Sequence, residues 1–390
     1  MSIRAKLTIA IAISMAALAL ATGSLVRVTE QRGVRIAAEQ AIASAGASFA
    51  ALERADIEKL DATLRALSTE PALADAFEAR QRDRLVAAAS PVFSLLRQNH
   101  GITRMYFMEP EPSRKVFLRV HKRDEYGDVV HRTTLSRAID TLSFGAGKEF
   151  GLNAFALRVV RPWYGRDGAL IGFVELAEEM DHFVARLKQQ TGDEYGLMIE
   201  KVFLDRDSWE KTRVGKRDNW DDRARSVLVS ATVEDESELI FDGDVSSVPD
   251  AGLYVDEDVH DGKVFIHGIV PVKDAAGRRV GGLFVLHDIT ALHASMERGL
   301  RGIYLMLAGL ALVLTLLLVA LVNGVVLRRL QRMAKELDIL GGRFSVGDYD
   351  VRVPRPTGKD EVGHFEAALG AFVQRVIELL REAGRGKKAG

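Results

Sequence analysis

The chain has 390 residues, a net charge of −1 and no cysteine. Balanced charge gives no electrostatic ground for nucleic-acid binding, and the lack of thiols excludes disulfides, cysteine nucleophiles, Cys-ligated zinc and iron–sulfur chemistry. A hydrophobic content of 47% is enough for the packed cores of two or three domains without making the whole chain a membrane bundle.

Residues 1–6 place Arg4 and Lys6 ahead of an uncharged apolar run at 7–26. That run has about 20 residues, enough to cross the hydrocarbon core, and is read as a first transmembrane helix whose N-terminus lies inside. A cleaved signal peptide is the competing reading, because Ala19-Leu20-Ala21 has the small-x-small form of a cleavage site. From residue 27 to about 76 the composition turns to Ala, Glu, Arg and Leu, with no proline before Pro71. Ala50, Leu52, Ile57, Leu60, Leu64 and Leu67 recur near helical spacing, which predicts one long helix, with Gly33 and Gly46 as its weak points. A second helix is predicted over 81–98.

Strand signals follow. Arg104 to Met108 runs into Pro110 and Pro112. Residues 116–121, Val-Phe-Leu-Arg-Val-His, are rich in strand formers, and 154–161 and 170–176 flank a turn at Gly165, Asp167 and Gly168. Pro162-x5-Gly168-x2-Ile171-Gly172 recurs as Pro271-x5-Gly277-x2-Val280-Gly281, each leading into an apolar strand. Such self-similarity predicts two related antiparallel-sheet modules, with the proline ending one strand of each hairpin. A connecting helix is expected over 180–190 and an irregular polar stretch holding Trp209 and Trp220 over 205–238. Further strands are expected at 195–199, 238–241, 252–255, 264–270 and 281–286, and a short helix at 289–300.

The stretch 303–327 carries no charge and is followed by Arg328, Arg329, Arg332 and Lys335. Length and basic edge predict a second transmembrane helix with its C-terminal side in the cytoplasm. Beyond it, Leu330, Met333, Leu337 and Leu340 form one a/d seam. Val362, Phe365, Leu369, Phe372, Val376 and Leu379 form another. Two such helices joined by a long connector leave an apolar stripe that a second copy would bury, so a homodimeric four-helix bundle is expected. The chain closes on a basic tail at 381–390.

The connector Gly347-Asp348-Tyr349-Asp350-Val351-Arg352-Val353-Pro354, with Asp360-Glu361-Val362-Gly363 opening the second helix, resembles a HAMP domain, the signal relay of bacterial transmembrane receptors, over about 328–380. Arg329 stands near the place where that family has a proline. Residues 27–301 resemble a double Cache sensor domain. The resemblance rests on Phe117 to Lys122 with Tyr126-Gly127-Asp128, on Gly147-x-Glu149-x-Gly151 leading to Arg158 and Pro162, and on Gly172-x-x-Glu175. Arg123, Leu152 and Ala154 depart from the pattern. The resemblance implies an α+β receptor with a long N-terminal helix and a distal module at about 77–180. A proximal module would occupy about 191–288, between two membrane spans and with HAMP after them. It would be a homodimer in a bacterial inner membrane, with the sensor in the periplasm. No cofactor is implied.

Alternation puts Phe117, Arg119 and His121 on one strand face and Val116, Leu118 and Val120 on the other. Arg158 and Glu175 each lie in an apolar strand, where a charge is costly unless paired or bound. One reading is a pocket in which Arg119, His121 and Arg158 hold an anionic small molecule, such as an organic acid or an amino acid, and Glu175 orients an amine or an arginine. The other is an Arg–Glu pair that fixes the sheet, or a solvated sheet face. Three free cations are the ground for the anion, and internal pairing would remove it. Tyr106, Trp163 and Asp128 are candidate walls.

No nucleophile elbow, P-loop, dinucleotide fingerprint or His metal spacing is found. His364 is read as a surface histidine. An enzyme is not expected. The signal would pass to a cytoplasmic or membrane output protein, and a membrane-anchored scaffold without a switch is the alternative.

Overall fold

The computed structural model describes residues 3–151, 155–213, 217–233, 239, 241, 243–321, 323–324, 328–348, 350–352, 358 and 361–386. The strand expected at 238–241 falls largely outside the described residues. So do Leu152, Ala154, Tyr349, Val353, Pro354 and Asp360, the end of the second span at 325–327, and the last four residues of the basic tail. The chain forms two compact units, residues 30–295 and residues 1–29 with 296–390.

Helix α1 covers Ile3–Leu67. Its buried residues Val34, Ala38, Ile42, Ala45, Phe49, Leu52, Asp56, Leu60, Leu64 and Leu67 follow the three- and four-residue spacing of one helical face. It stops nine residues before the expected end, and Pro71 instead starts a separate helix α2, Pro71–Glu78. Gly33 and Gly46 do not break α1. A Cβ on Gly46 would meet Val270 at 3.1 Å, so this glycine sets a close approach between helix and sheet. Helix α3, Arg82–His100, ends on Gly101 in the left-handed conformation.

Strand β1 (Arg104–Met108) pairs with β2 (Val116–Arg119). Helix α4 (Thr133–Thr141) then leads into β3 (Gly145–Phe150), β4 (Phe155–Tyr164) and β5 (Leu170–Glu179), giving a sheet of order β2-β1-β5-β4-β3. Helix α5 (Asp181–Thr191) connects to β6 (Glu194–Glu200), α6 (Arg206–Thr212), β7 (Ser226–Ala231), β8 (Leu253–His260), β9 (Lys263–Lys273) and β10 (Arg279–Asp288). The second sheet has order β7-β6-β10-β9-β8, the same topology as the first. Strand β7 lies inside the stretch expected to be irregular, and α4 and β3 were not expected as elements. One core cluster joins α1, α2 and α3, the last turn of α2 through Phe77, to inward residues of both sheets, among them Phe107, Trp163, Leu176, Val270 and Leu283.

The recurring motif occupies equivalent places. Pro162 pairs with Phe173 across β4–β5, and Pro271 with Gly282 across β9–β10. Each proline lies inside its strand and does not end it. Both are tolerated because the outer neighbour has stopped: β3 pairs no further than Val160 and β8 no further than Ile269. The missing N–H therefore costs no ladder bond. The motif glycines permit close approach. A Cβ on Gly172 would collide with the Met108 carbonyl oxygen, and one on Gly281 with that of Met198.

Helix α7, Thr290–Leu321, and the N-terminal part of α1 are long and apolar enough to cross a membrane. Helices α8 (Arg328–Ser345) and α9 (Glu361–Gly386) pack through Leu340, Val373 and Ile377, with Phe344 and Val351 against them. Arg329 is paired with Glu366 at 3.0 Å. Of the second predicted seam, Phe365, Phe372 and Leu379 remain exposed. The α8-facing stripe of α9 is offset from that seam, since α9 carries apolar residues on more than one face.

Candidate functional site

Strand register decides which side chains of the first sheet can meet. Tyr106 stands opposite both Arg119 and Glu175, Val160 opposite Glu175, and Arg104 and Arg158 opposite Ala177. Cross-strand partners share a face, so Arg104, Tyr106, Arg119, Arg158 and Glu175 line one side of the sheet. The apolar part of that side is a small cluster of Tyr106, Met108, Val116, Val130, Leu135, Ala138, Val160 and Phe173. Helix α4 and the segment before it supply its cover. The α4 N-terminus is held by the Glu149 carboxylate, which accepts from Thr133 N at 2.6 Å and from Thr134 Oγ1 at 2.5 Å.

At the centre, Glu175 is fully buried and accepts from Arg158 Nη1 at 2.5 Å and from Arg132 Nη1 at 2.7 and 2.9 Å. Burial opposes the charge on Glu175, but Arg132 and Arg158 hold its carboxyl below the usual carboxylate range. Two guanidinium groups share one carboxylate, so one positive charge is in excess. The excess is felt nearby. Burial works to push the Tyr106 phenol up, yet Arg158, opposed by Glu175 and joined by Arg132 and Arg104, brings it below its ordinary value.

Several donors of this face lack acceptors. Arg158 Nε and Nη2 and His121 Nε2 are buried without a hydrogen-bond partner. His121 Nδ1 accepts from Met105 N at 3.4 Å, which leaves Nε2 as the protonated nitrogen of the neutral ring. Burial and the Arg104 charge push this imidazole down to about 4. Its ring meets Tyr106 edge-on, with centroids 4.9 Å apart. The Arg119 and Arg132 guanidinium groups lie 5.4 and 5.0 Å from the Tyr106 ring centroid.

The predicted residues thus divide. Tyr106, His121, Arg158 and Glu175 come together, and Arg119 lies beside them, bound to both Asp128 carboxylate oxygens at 2.7 and 2.6 Å. Asp128 is therefore a partner of Arg119, with its side chain 47% exposed. Trp163 is not on this face. It is buried in the main core beside Phe107, with ring centroids 6.1 Å apart, because it neighbours Pro162 in β4 with the opposite parity to Arg158.

Simple alternation also fails at Val116. Met108 pairs with Val116 while Phe107 pairs with Leu118, so Phe117 forms a bulge that returns Val116 to the Arg119 face. Most consequentially, Arg119 and Arg158 are both paired internally, which removes free cations as the ground for an anionic ligand.

Sequence reasoning missed Arg132 altogether. Its signal is a basic residue directly ahead of Thr133 at the start of α4, where the helix dipole disfavours positive charge. Such a residue needs a carboxylate elsewhere, and Glu175 supplies it.

The sequence also matches a known family. A family model, dCache_3, described as the double sensory domain of two-component sensor kinase, matches residues 37–293. No curated protein matches. Among solved structures, the chain is similar to the periplasmic domain of Vibrio cholerae LuxQ, with 11% identity over 65% of this chain and 99% of that one and a TM-score of 0.37. It is also similar to the ligand-binding domain of the Campylobacter jejuni chemoreceptor Tlp3 in complex with L-valine, with 10% identity, 68% and 96% coverage and a TM-score of 0.39. The sensor domain of Escherichia coli DcuS is 17% identical over 36% of this chain and 99% of that one, with a TM-score of 0.29. By the family match, which spans more than half of its length, the chain belongs to the dCache_3 family of double sensory domains.

Proposed function

We propose that the protein is a two-pass receptor of a bacterial inner membrane whose distal sheet module, β1 to β5, binds a small periplasmic molecule carrying one carboxylate, an organic acid or an amino acid. The observation that carries this reading is the uncompensated guanidinium charge at Glu175, together with the unpartnered Arg158 and His121 donors. One carboxylate would balance that charge and accept from those donors, and charge-assisted bonds of this kind are the strong ones. Arg132 is the movable member. It belongs to the segment ahead of α4, so a ligand that competes for its guanidinium would shift the helix covering the site.

Helices α8 and α9 are read as a HAMP relay in a homodimer, and the exposed Phe365, Phe372 and Leu379 support a second copy as their cover. The protein acts on an output partner and is not an enzyme. A ligand drives such a relay only through its preference for one state, and full reversal of a 99:1 equilibrium takes about 5.5 kcal/mol. The test is a thermal-shift panel of organic acids, amino acids and amines on the full chain in nanodiscs. Each hit is then followed by cysteine cross-linking within α9 of the dimer. Ligand-dependent stabilisation with a changed cross-linking pattern supports the receptor. Stabilisation without any change in cross-linking supports a binding scaffold.

A further inference from the structure

Strand β5 carries a second buried carboxylate three residues beyond Glu175, on the opposite face. Glu178 is 0% exposed and turned toward α1. Its Oε2 accepts from Lys59 Nζ at 2.6 Å, while its Oε1 is buried without a partner. Lys59 also reaches Asp56, one turn back on α1, at 3.1 Å. From α5, Arg186 binds Asp56 at 2.5 Å and His182 Nε2 stands 3.6 Å from it. Across the sheet, β4 sets apolar Leu157 opposite Glu178. One turn further along α1, Asp61 is already engaged by Arg161 and Arg65.

Donor atoms of Asp56, Glu178 and His182 lie within 4.8 Å of one another. A metal ion there would have to displace Lys59 and Arg186, two cations already bound to the carboxylates. A proton displaces nothing, because Glu178 Oε1 is open to it. We propose that Asp56, Lys59, Glu178 and Arg186 form a proton-binding switch beside His182, in which neutralising Glu178 releases Lys59 and loosens α1 from the β5–α5 corner. The two carboxylates of the corner are set apart for this. Burial pushes the Glu178 carboxyl up to about 7, only partly offset by Lys59. Burial also opposes charge on Asp56, but the His182 and Lys59 hydrogen bonds and the Arg186 charge hold it well below the usual range. Asp56 therefore keeps Arg186 at every pH at which Glu178 changes state. The receptor would then read proton activity through α1, separately from any ligand bound on the other face of β5.

Hydrogen exchange of residues 52–64 in the full chain in nanodiscs, corrected for intrinsic rates, tests this between about pH 8.5 and about pH 5.5. In a local opening that frees Lys59 while Glu178 stays buried, the open state binds the proton more tightly, so wild type is expected to lose protection roughly tenfold on acidification, the equivalent of a lost charge-assisted bond. Glu178→Gln should show the low value throughout, and His182→Asn should retain the step. Lys59→Met removes the charge that favours ionised Glu178, so it should move any remaining titration of this corner to higher pH. A wild-type segment that is insensitive to pH overturns the proposal, as does a step that survives in Glu178→Gln. A step lost in His182→Asn would also overturn it.

Discussion

Arg158 and Glu175 meet at 2.5 Å, and neither side chain is exposed to solvent. A pair so placed is expensive to build and more expensive to break, because removing one member leaves the other charged and buried. The second guanidinium, Arg132, makes the arrangement asymmetric, with positive charge in excess of its carboxylate.

Substituting Glu175 should therefore be among the most destabilising single changes in the distal module. Glu175→Ala leaves two buried guanidinium groups uncompensated, and a loss of about 3–5 kcal/mol is expected in chemical denaturation. Arg132→Ala should cost less, since Glu175 keeps Arg158 and the Arg132 side chain is 10% exposed.

The His121 imidazole carries a sign that can be checked. Its value in the fold is about 4 against 6.5 for an ordinary histidine. The unfolded chain binds more protons between these values, so stability rises with pH across the window. The His121 contribution is complete above about pH 6.5 and is lost as the pH falls toward 4. His121→Asn should flatten that part of the stability profile. Against global unfolding, in which Glu178 becomes solvated, Glu178 acts in the opposite direction: burial raises its value from 4.5 to about 7, so this contribution falls as pH rises through that range, whereas the local release of Lys59 from a still-buried Glu178 is favoured by acid. Measurements on the two single variants separate them.

Gly172 and Gly281 should both resist a side chain, Gly172 also through its backbone at φ 156°. In both modules an added Cβ on the central strand strikes the carbonyl oxygen of a methionine on the neighbouring strand, β1 or β6. Gly172→Ala and Gly281→Ala are each expected to cost about 1–3 kcal/mol of stability, the usual range for overpacking. A loss at one site alone would argue against equivalent hairpins.

Trp163 provides a control for the site. Its ring lies in the core beside Phe107, on the other side of the sheet from Glu175. Trp163→Ala should lower stability by about 3–5 kcal/mol. Trp163→Phe, which keeps most of the ring volume, should leave ligand affinity unchanged in a titration.

These residues also show what the sequence makes legible. The strands at 104–108, 170–179 and 263–273 announce themselves through runs of β-branched and aromatic residues, and the Pro-to-Gly motif marks both hairpins. Strand β3 does not, because Gly-Ala-Gly-Lys-Glu-Phe has little intrinsic preference for a strand and becomes one by pairing with β4. Arg119, Arg158 and Glu175 stand out as charges inside apolar strands, but who pairs with whom depends on register and on a loop that brings Arg132 from 43 positions away. Val116 and Phe117 exchange their expected faces because of the bulge in β2, whereas the parity of Trp163 relative to Arg158 already places it on the core side. Alternation fixes parity within one strand, and a bulge or an unknown strand partner then decides which face is the site.

The most direct test of the account varies the ligand and leaves the buried triad intact. Calorimetric titration of the full chain would compare each stabilising acid with its methyl ester or primary amide. At about 100 times its dissociation constant a true ligand adds about 2.7 kcal/mol of stability, so hits can be ranked before titration. The account predicts that the free carboxylate binds and that the neutral derivative loses at least roughly tenfold in affinity, the value of one charge-assisted hydrogen bond. Equal affinity for acid and ester would contradict a site built around the excess charge at Glu175.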